Sequence, residues 1–342
     1  MHKNRTTLKD IAEKLGTTIT TVSKALKDYP DISDKTKQAV KKLAKELNYQ
    51  PDSRALALRR NKSNSIGVII PEVVHFFFST VIAGIMTYAE GKGYRVLITL
   101  SNNQLSLEKK QANLLFNTKV DGVLVSLANE SKSAAHFDLL KEYGIPVVMF
   151  DKVNKLFECS KVKIDDRLGA YTATQHLIDK GCKRIAHIRG PRHPLNSKAR
   201  FDGYKAALKD HNIEFCPELV KECKEVTLKE GHDFAIELLE AKHPPDGIFA
   251  VTDQVGVGAI QAAHQLGLNV PKQLKVVGFS DSQIAQIIRP ALTTIHQPGF
   301  EIGQMAAQLL IEEIEIREAD SESPIDFSQV ILDTYLIERE ST

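Results

Sequence analysis

Long apolar runs, paired cysteines and catalytic signatures are all missing from this 342-residue chain. No stretch approaches the roughly 18–20 consecutive apolar residues needed to cross a bilayer, so no membrane partner is expected. The opening MHKNRTTLKD has no apolar stretch behind its charges. That argues against a secretory signal and for a cytoplasmic protein. Cys159, Cys182, Cys216 and Cys223 form no CxxC pair and no zinc-finger spacing. Free thiols in a reducing compartment are the simplest reading. The eleven histidines include no HxH or HxxxH, so no metal site is expected. GxSxG, GxxxxGKS/T and HExxH are also absent, which removes the usual marks of a nucleophile elbow, a P-loop or a zinc protease. Neither catalysis nor a cofactor is expected.

What is present is unevenly arranged. Net charge is only +2. Residues 1–62 nevertheless hold fifteen Lys and Arg against seven Asp and Glu, and the remainder holds thirty against thirty-six. A small basic head on an acidic body suits a polyanion partner for the head, although a solvated helical face would look the same by charge alone.

The stretch TTLKDIAEKLGTTITTVSKALKD, residues 6–28, has no proline, no aromatic residue and one glycine. Thr7 and Asp10 fit a capping box ahead of Leu8, Ile11, Ala12 and Leu15 at helical spacing. Gly16 stands where a C-terminal cap belongs. Thr17 or Thr18 can cap a second helix carrying Ile19, Val22, Ala25 and Leu26. Ser33 opens a third, with Val40, Leu43, Ala44 and Leu47, ending near Asn48. Three short helices with a tight first turn read as a helix–turn–helix. The second helix has to fit a major groove about 12 Å wide. Short hydroxyl side chains at Thr20, Thr21 and Ser23 allow a close approach, and Lys24, one turn from Thr20, can reach a guanine edge or a phosphate. Any one of these threonines could equally be a cap or surface decoration. It is the turn spacing, the short polar face and the local charge together that favour double-stranded DNA.

Residues 49–65, YQPDSRALALRRNKSNS, put Pro51 at the first turn of a short helix and then a linker. Such a helix is too short to persist alone, since roughly 12–15 residues are already marginal in water. From Ile66 the texture changes. Near-continuous apolar runs at 66–70, 94–100, 121–126, 145–151, 184–190, 246–253 and 274–281 alternate with amphipathic helices. Buried parallel strands alternating with helices mean a doubly wound α/β architecture, and two sheets fit this length better than one. The C-terminal ends of their strands should flank a ligand crevice.

The runs TLKDIAEKLGTTITTVSKAL, NYQPDSRALAL, SIGVIIP, DGVLVS and PALTTIHQP together resemble the LacI/GalR family of bacterial repressors, in order along essentially the whole chain. The resemblance implies a head at 1–50, a hinge helix and linker at 51–64, and a periplasmic-binding-protein-like core at 65–342. The core would have two subdomains, one of about 65–161 and 291–322, the other of about 163–289 and 326–342, with crossovers near 161–163, 289–293 and 322–326. The last strand, Val330 to Glu338, would join the second. The resemblance also implies a homodimer or tetramer on a near-palindromic operator. No leucine heptad follows Glu338, which favours the dimer.

By the same resemblance Ile19, Thr20 and Lys24 take the base-choosing positions of the recognition helix, with Thr7, Thr18, Thr21 and Ser23 beside them at the DNA. Lys24 stands where many members have arginine or histidine, which leaves its preferred base open. Ala55 and Leu58 match the hinge pair that enters the minor groove, Leu58 as the wedge between base pairs. A small-molecule effector is implied in the crevice, contacted by Phe77, Phe78, Asp151, Asn196, Arg200, Asp253, Ser280 and Asp281. Of the two phenylalanines, Phe78 is placed at the ligand and Phe77 in the core. An aromatic face with carboxylates and an arginine suits a carbohydrate. Several positions depart from the pattern. Ser280 replaces a frequent aspartate, and Asp281 is left as a possible substitute. His75 replaces a frequent asparagine. Pro194 stands where the purine-binding branch has an arginine, which argues against a purine. A periplasmic-type sugar-binding protein would share the core but not the basic head. A regulator controlled by a protein corepressor would share both.

Overall fold

The computed structural model describes residues 6–49, 62–73, 75–320 and 324–342 and divides into two compact units, the first ending at Ser63. The hinge segment, with Ala55 and Leu58, lies outside the described residues.

The first unit is the three-helix head. Its helices are α1 (Leu8–Leu15), α2 (Ile19–Leu26) and α3 (Asp34–Glu46). Thr7 and Asp10 form the reciprocal capping box at α1, Gly16 closes it at φ 60°, and Thr18 and Ser33 cap α2 and α3. Only a residue tolerant of the left-handed region turns the chain this tightly between two helices. Ile11, Ala12, Val22, Ala25, Val40 and Ala44 meet in a small core. The capped starts and apolar spacings read from the sequence are the ones observed.

The second unit holds two six-stranded sheets. In chain order its strands are β1 (Ser65–Ile70), β2 (Arg95–Leu100), β3 (Gly122–Val125), β4 (Val147–Phe150), β5 (Lys161–Ile164), β6 (Ile185–Arg189), β7 (Val220–Glu222), β8 (Gly247–Ala250), β9 (Lys275–Ser280), β10 (Thr293–His296), β11 (Gln329–Leu332) and β12 (Leu336–Ile337). The first sheet runs β11-β5-β4-β3-β1-β2, and the second runs β12-β10-β9-β8-β6-β7. All pairs are parallel except β10 with β12. Strands β1, β3, β4, β6 and β8 are buried throughout, as their unbroken apolar runs require. The apolar run at 94–100 sits differently. As β2 it forms the free edge of the first sheet, with Leu97 and Ile98 exposed.

The subdomain boundaries differ from expectation. The segment 291–322 was expected with the first sheet, but its strand β10 pairs with β9 in the second, Thr294 opposite Gly278. Only the following helix, Gly299–Ala319, returns to the first half, where it packs on the helix Phe76–Gly91. That contact is close because both helices carry glycine at the seam. A Cβ on Gly84 would lie 2.0 Å from the Phe300 carbonyl oxygen, and one on Gly303 2.1 Å from that of Val81. The tail also divides. Strand β11 pairs with β5, Val330 opposite Val162, and only β12 reaches the second sheet. The chain therefore crosses between sheets at 164–166, 296–299 and 332–336, not at 161–163, 289–293 and 322–326. The reason is pairing. A short strand joins whichever sheet edge can satisfy its backbone N–H and C=O groups, and its own residues do not record that choice.

Candidate DNA-reading head and effector cavity

Helix α2 turns Val22 and Ala25 into the head core and leaves Ile19 and Thr20 exposed. Ile19 is 49% exposed beside Thr20. Ser23 and Lys24 are half-buried on the same side. The other hydroxyls are already engaged locally. Thr7 Oγ1 donates to Asp10 Oδ2 at 2.9 Å, and Thr18 Oγ1 accepts from the Thr21 N–H at 3.1 Å and pairs with Thr21 Oγ1 at 2.9 Å. These three position the helix whatever else they do. Lys24 Nζ is turned back onto Asp31. That contact and the Lys24 charge hold the Asp31 carboxyl below its usual range.

In the second unit a cavity of about 290 Å³ lies where strand ends from both sheets converge. From the first sheet come Glu72 and the Phe76–Phe78 run after β1, Asn129 after β3, and Asp151 and Lys152 after β4. From the second come Gly190 and Pro194 after β6, Thr252 and Asp253 after β8, Ser280 ending β9 and Gln297 after β10. A wall built from carboxyl ends of parallel strands is the usual place for a ligand in such folds.

Seven of the eight expected effector residues line this cavity, and their commitments differ. Asp151 has the left-handed φ of 55°. Its carboxylate accepts from Asn196 Nδ2 at 3.3 Å and Ser126 Oγ at 3.4 Å, both long bonds. Burial pushes its carboxyl up, against the pull of Lys152 and Arg200. Asp151 is thus a buried acceptor with weak partners, able to exchange them for ligand hydroxyls. Asn196 faces it from the other half.

Arg200 and Asp253 are more fully occupied. Arg200 is 5% exposed. Its Nε and Nη2 donate to Asp166 Oδ1 at 2.9 and 2.8 Å, and its Nη1 to the Val251 carbonyl at 2.8 Å. Its guanidinium also lies 3.6 Å from the centroid of the Phe279 ring. Asp253 accepts from Thr294 Oγ1 at 2.5 Å, from the Ser282 N–H at 2.6 Å and from Ser282 Oγ at 2.8 Å. Burial raises its carboxyl, and those bonds work against the rise. Both side chains therefore brace the cavity's second-half wall. Phe77 and Phe78 pack edge to face at 5.3 Å, and both reach the cavity while belonging to the core. The expected division of the two, one at the ligand and one in the core, is not what the fold does. Ser280 donates to Gln297 Oε1 at 2.8 Å.

Asp281 is a correction. It does not line the cavity. Its carboxylate takes the Arg339 guanidinium at 2.5 Å and His296 Nδ1 at 3.3 Å. Positive φ at Ser280 (114°) and Asp281 (54°) turns the chain at this point, so the two neighbouring side chains part.

Sequence reasoning missed Lys152, Glu72, Asn129 and Phe76, all in the wall. Lys152 follows Asp151 at a strand end, and Phe76 opens the phenylalanine run, so the strand-end rule could have included both. Lys152 Nζ donates to Asn129 Oδ1 at 2.7 Å and Asn103 Oδ1 at 3.1 Å. Burial lowers its ammonium, and the Asp151 and Glu72 charges support it. At Glu72, burial pushes the carboxyl up, but the hydrogen bond and charge of His75 outweigh it and leave it lowered. The lining as a whole carries four carboxylates against Lys152 and Arg200.

Comparison with known proteins agrees with this geometry. Residues 7–52 match bacterial regulatory proteins of the lacI family, and residues 174–342 match a periplasmic binding protein-like domain. A ribose operon repressor of Halalkalibacterium halodurans is 32% identical over 341 residues, covering 98% of this chain and 97% of its own. The HTH-type transcriptional repressor CytR of Escherichia coli (strain K12) is 33% identical over 326 residues, 95% of each chain. The solved complex of the transcriptional regulator CelR with cellobiose superposes with a TM-score of 0.74 at 28% identity, covering 99% of this chain and 100% of that one. The lac repressor dimer bound to operator and the anti-inducer ONPF superposes at 0.85 with 22% identity over 99% of both chains, a likeness of fold.

Proposed function

The chain belongs to the LacI family of bacterial regulatory proteins, and we propose that it is a repressor whose hold on an operator is set by a neutral polyhydroxylated ligand, of sugar type, bound between the two halves of its core. It is a DNA-binding transcriptional regulator, and its relatives are regulators rather than enzymes. A stand-alone periplasmic-type binding protein would have no use for the head that residues 7–52 provide.

The observation that carries the effector reading is the mixed parentage of the cavity wall, with Asp151 from the first half and Asn196 from the second in hydrogen-bond contact across it. A ligand there touches both halves and can bias the angle between them. The phenylalanine run supplies an apolar face for a sugar ring. The surplus of carboxylates over cations argues against a sugar acid or a phosphate in this cavity. Such a ligand can act on DNA only through two linked states, and the coupling is typically about 1–3 kcal/mol, or roughly 5–150-fold in affinity.

A homodimer on a near-palindromic operator follows from the same reading, two heads reading two half-sites. It is supported by the free edge of the first sheet, where Leu97 and Ile98 are exposed and Met86, on the neighbouring helix, is 38% exposed. In the head, Ile19, Thr20 and Lys24 read base edges. Thr7, Thr18, Thr21 and Ser23 position the helix on the backbone, and Leu58 with Ala55 contacts the minor groove.

The test is selection of bound sites from a random duplex library with the full chain, followed by anisotropy of the recovered duplex against a panel of neutral sugars. The expected result is a palindrome with a flexible central step, released or tightened by one sugar. No enriched sequence, with or without a metabolite extract, would overturn the reading. Enrichment that needs the protein fraction of the extract would instead point to a protein corepressor.

A further inference from the structure

A second concavity, about 550 Å³, lies on the far side of the Asp151–Asn196 contact and shares those two residues with the sugar-type cavity. Its chemistry is the opposite. Lys155 follows β4, Lys161 and Lys163 stand on β5, Arg167 opens the helix Asp166–Asp179, and Lys198 lies on the helix Leu195–Asp210.

The groove exists because one face of the first sheet is only partly covered. On that face Ile69, Val123, Val125, Val147 and Met149 pack beneath helices into one core cluster. Strands β5 and β11 lie beyond it. By strand alternation Lys161 and Lys163 share this uncovered side with Gln329 and Ile331, their register partners, and Ile331 is 51% exposed.

Four carboxylates also line the groove, and two of them are ion-paired. Asp166 is bound by Arg200 at 2.8 Å. Asp202 is bound by Lys198 at 2.7 Å and Lys205 at 3.2 Å. Asp151 turns to Asn196 and Ser126. Asp165 caps its own helix, accepting from the Leu168 N–H at 2.9 Å. Lys155, Lys163 and Arg167 have no ion-pair partner among the described residues, and Lys161 donates only to the Phe157 carbonyl at 2.7 Å. Lys155, Lys161, Lys163 and Arg167, without ion pairs among the described residues, outnumber the two carboxylates left unpaired, Asp151 and Asp165, so the groove stays net positive.

We propose that this groove binds the phosphate group of a small phosphorylated metabolite, held between Lys155 and Lys163 of the first half and Arg167 of the second. A phosphate brings roughly two negative charges and three strong acceptors, which suits two ammonium groups and a forked guanidinium. Lys163 and Arg167 stand on opposite sides of the 164–166 crossing. An anion bridging them would set the angle between the halves at its pivot and so act on the same movement as the other ligand. The assignment itself does not rest on the sugar reading.

The test is calorimetric titration of the full chain, at fixed ionic strength, with inorganic phosphate and with ribose 5-phosphate, using acetate as the control anion. The basic head will contribute background, so the decisive comparison is between variants outside it. Saturable binding is expected for at least one phosphate probe and not for acetate. Lys155→Gln, at an exposed position, should weaken it about tenfold. Lys163→Gln with Arg167→Gln should remove it while far-UV circular dichroism stays unchanged. Stronger binding of ribose 5-phosphate would identify a sugar phosphate as the occupant, and equal binding would identify free phosphate. Binding that is non-saturable, equal for acetate, or unchanged in Lys155→Gln would overturn the proposal.

Discussion

Arg200→Ala should cost the core about 3–5 kcal/mol, because it strands a carboxylate that has nowhere else to turn. Asp166 is 6% exposed, and burial already raises its carboxyl to about 6 despite the Arg200 charge beside it. Removing the guanidinium takes away both contacts at 2.8 and 2.9 Å, unpairs the Val251 carbonyl and empties the face of Phe279. A domain this size has only about 5–15 kcal/mol to lose. Urea unfolding followed by far-UV circular dichroism measures it, since the chain has no tryptophan to report by fluorescence. The companion variant is Arg200→Met with Asp166→Leu, which removes both charges and keeps the volume. It should recover most of the loss, since an apolar pair in place of a buried ion pair is often neutral. A cost below about 1 kcal/mol for the single variant, or a double variant no better than the single one, would refute a bracing role for Arg200.

Asp151→Asn should lower affinity for the sugar-type ligand about 10–100-fold by isothermal titration, with unfolding free energy nearly unchanged, because asparagine tolerates the left-handed backbone at φ 55°. A large stability loss instead would make Asp151 structural. At His187 burial pushes the imidazole down to about 3. The stability it contributes is full above the unfolded value near 6.5 and is lost as pH falls from there toward 3, about 2 kcal/mol by pH 5. His187→Phe, which keeps the 4.6 Å stack on Phe249, should flatten that part of the pH profile, and an unchanged slope would exclude His187 as its source. Asp31→Asn should tighten operator binding about two- to fivefold at low salt, since it releases Lys24 and removes one negative charge from the head; unchanged affinity would show that Lys24 does not reach the duplex. Leu58→Ala should weaken specific binding more than nonspecific binding by gel shift, and equal loss on both would remove the wedge.

The head was legible residue by residue because its signals are local. A cap, a left-handed glycine and a 3.6-residue apolar spacing are each decided within one turn of chain, so Thr7, Gly16 and Ser33 could be placed, and the cap of α2 narrowed to Thr17 or Thr18, without knowing any neighbour. Most buried strands were equally plain, since a run apolar on both faces is usually covered on both, but the run at 94–100 became the exposed edge strand β2. The place of the crevice followed from the rule that ligands bind at strand ends, while its named residues came from the family resemblance. Asp281 failed because that rule does not resolve two adjacent residues at a bend. The chain turns at Ser280 and sends the carboxylate to Arg339, 58 residues away in sequence.

Sequence alone was enough for the existence and type of most elements, the division into basic head and doubly wound core, and the strand ends from which a ligand site is built. Those properties depend on side-chain periodicity and on chemistry within a few residues. The tertiary structure alone decided which sheet each late strand joins, which polar groups are spent, and where charge remains. Strands β10 and β11 are both four-residue strands late in the chain, yet they lie in different sheets because different partners had free backbone groups to offer. Arg200 and Lys163 are both single cations in the sequence. One is occupied by Asp166 and the other has no counter-charge in contact with it, a difference set by residues brought together from distant parts of the chain.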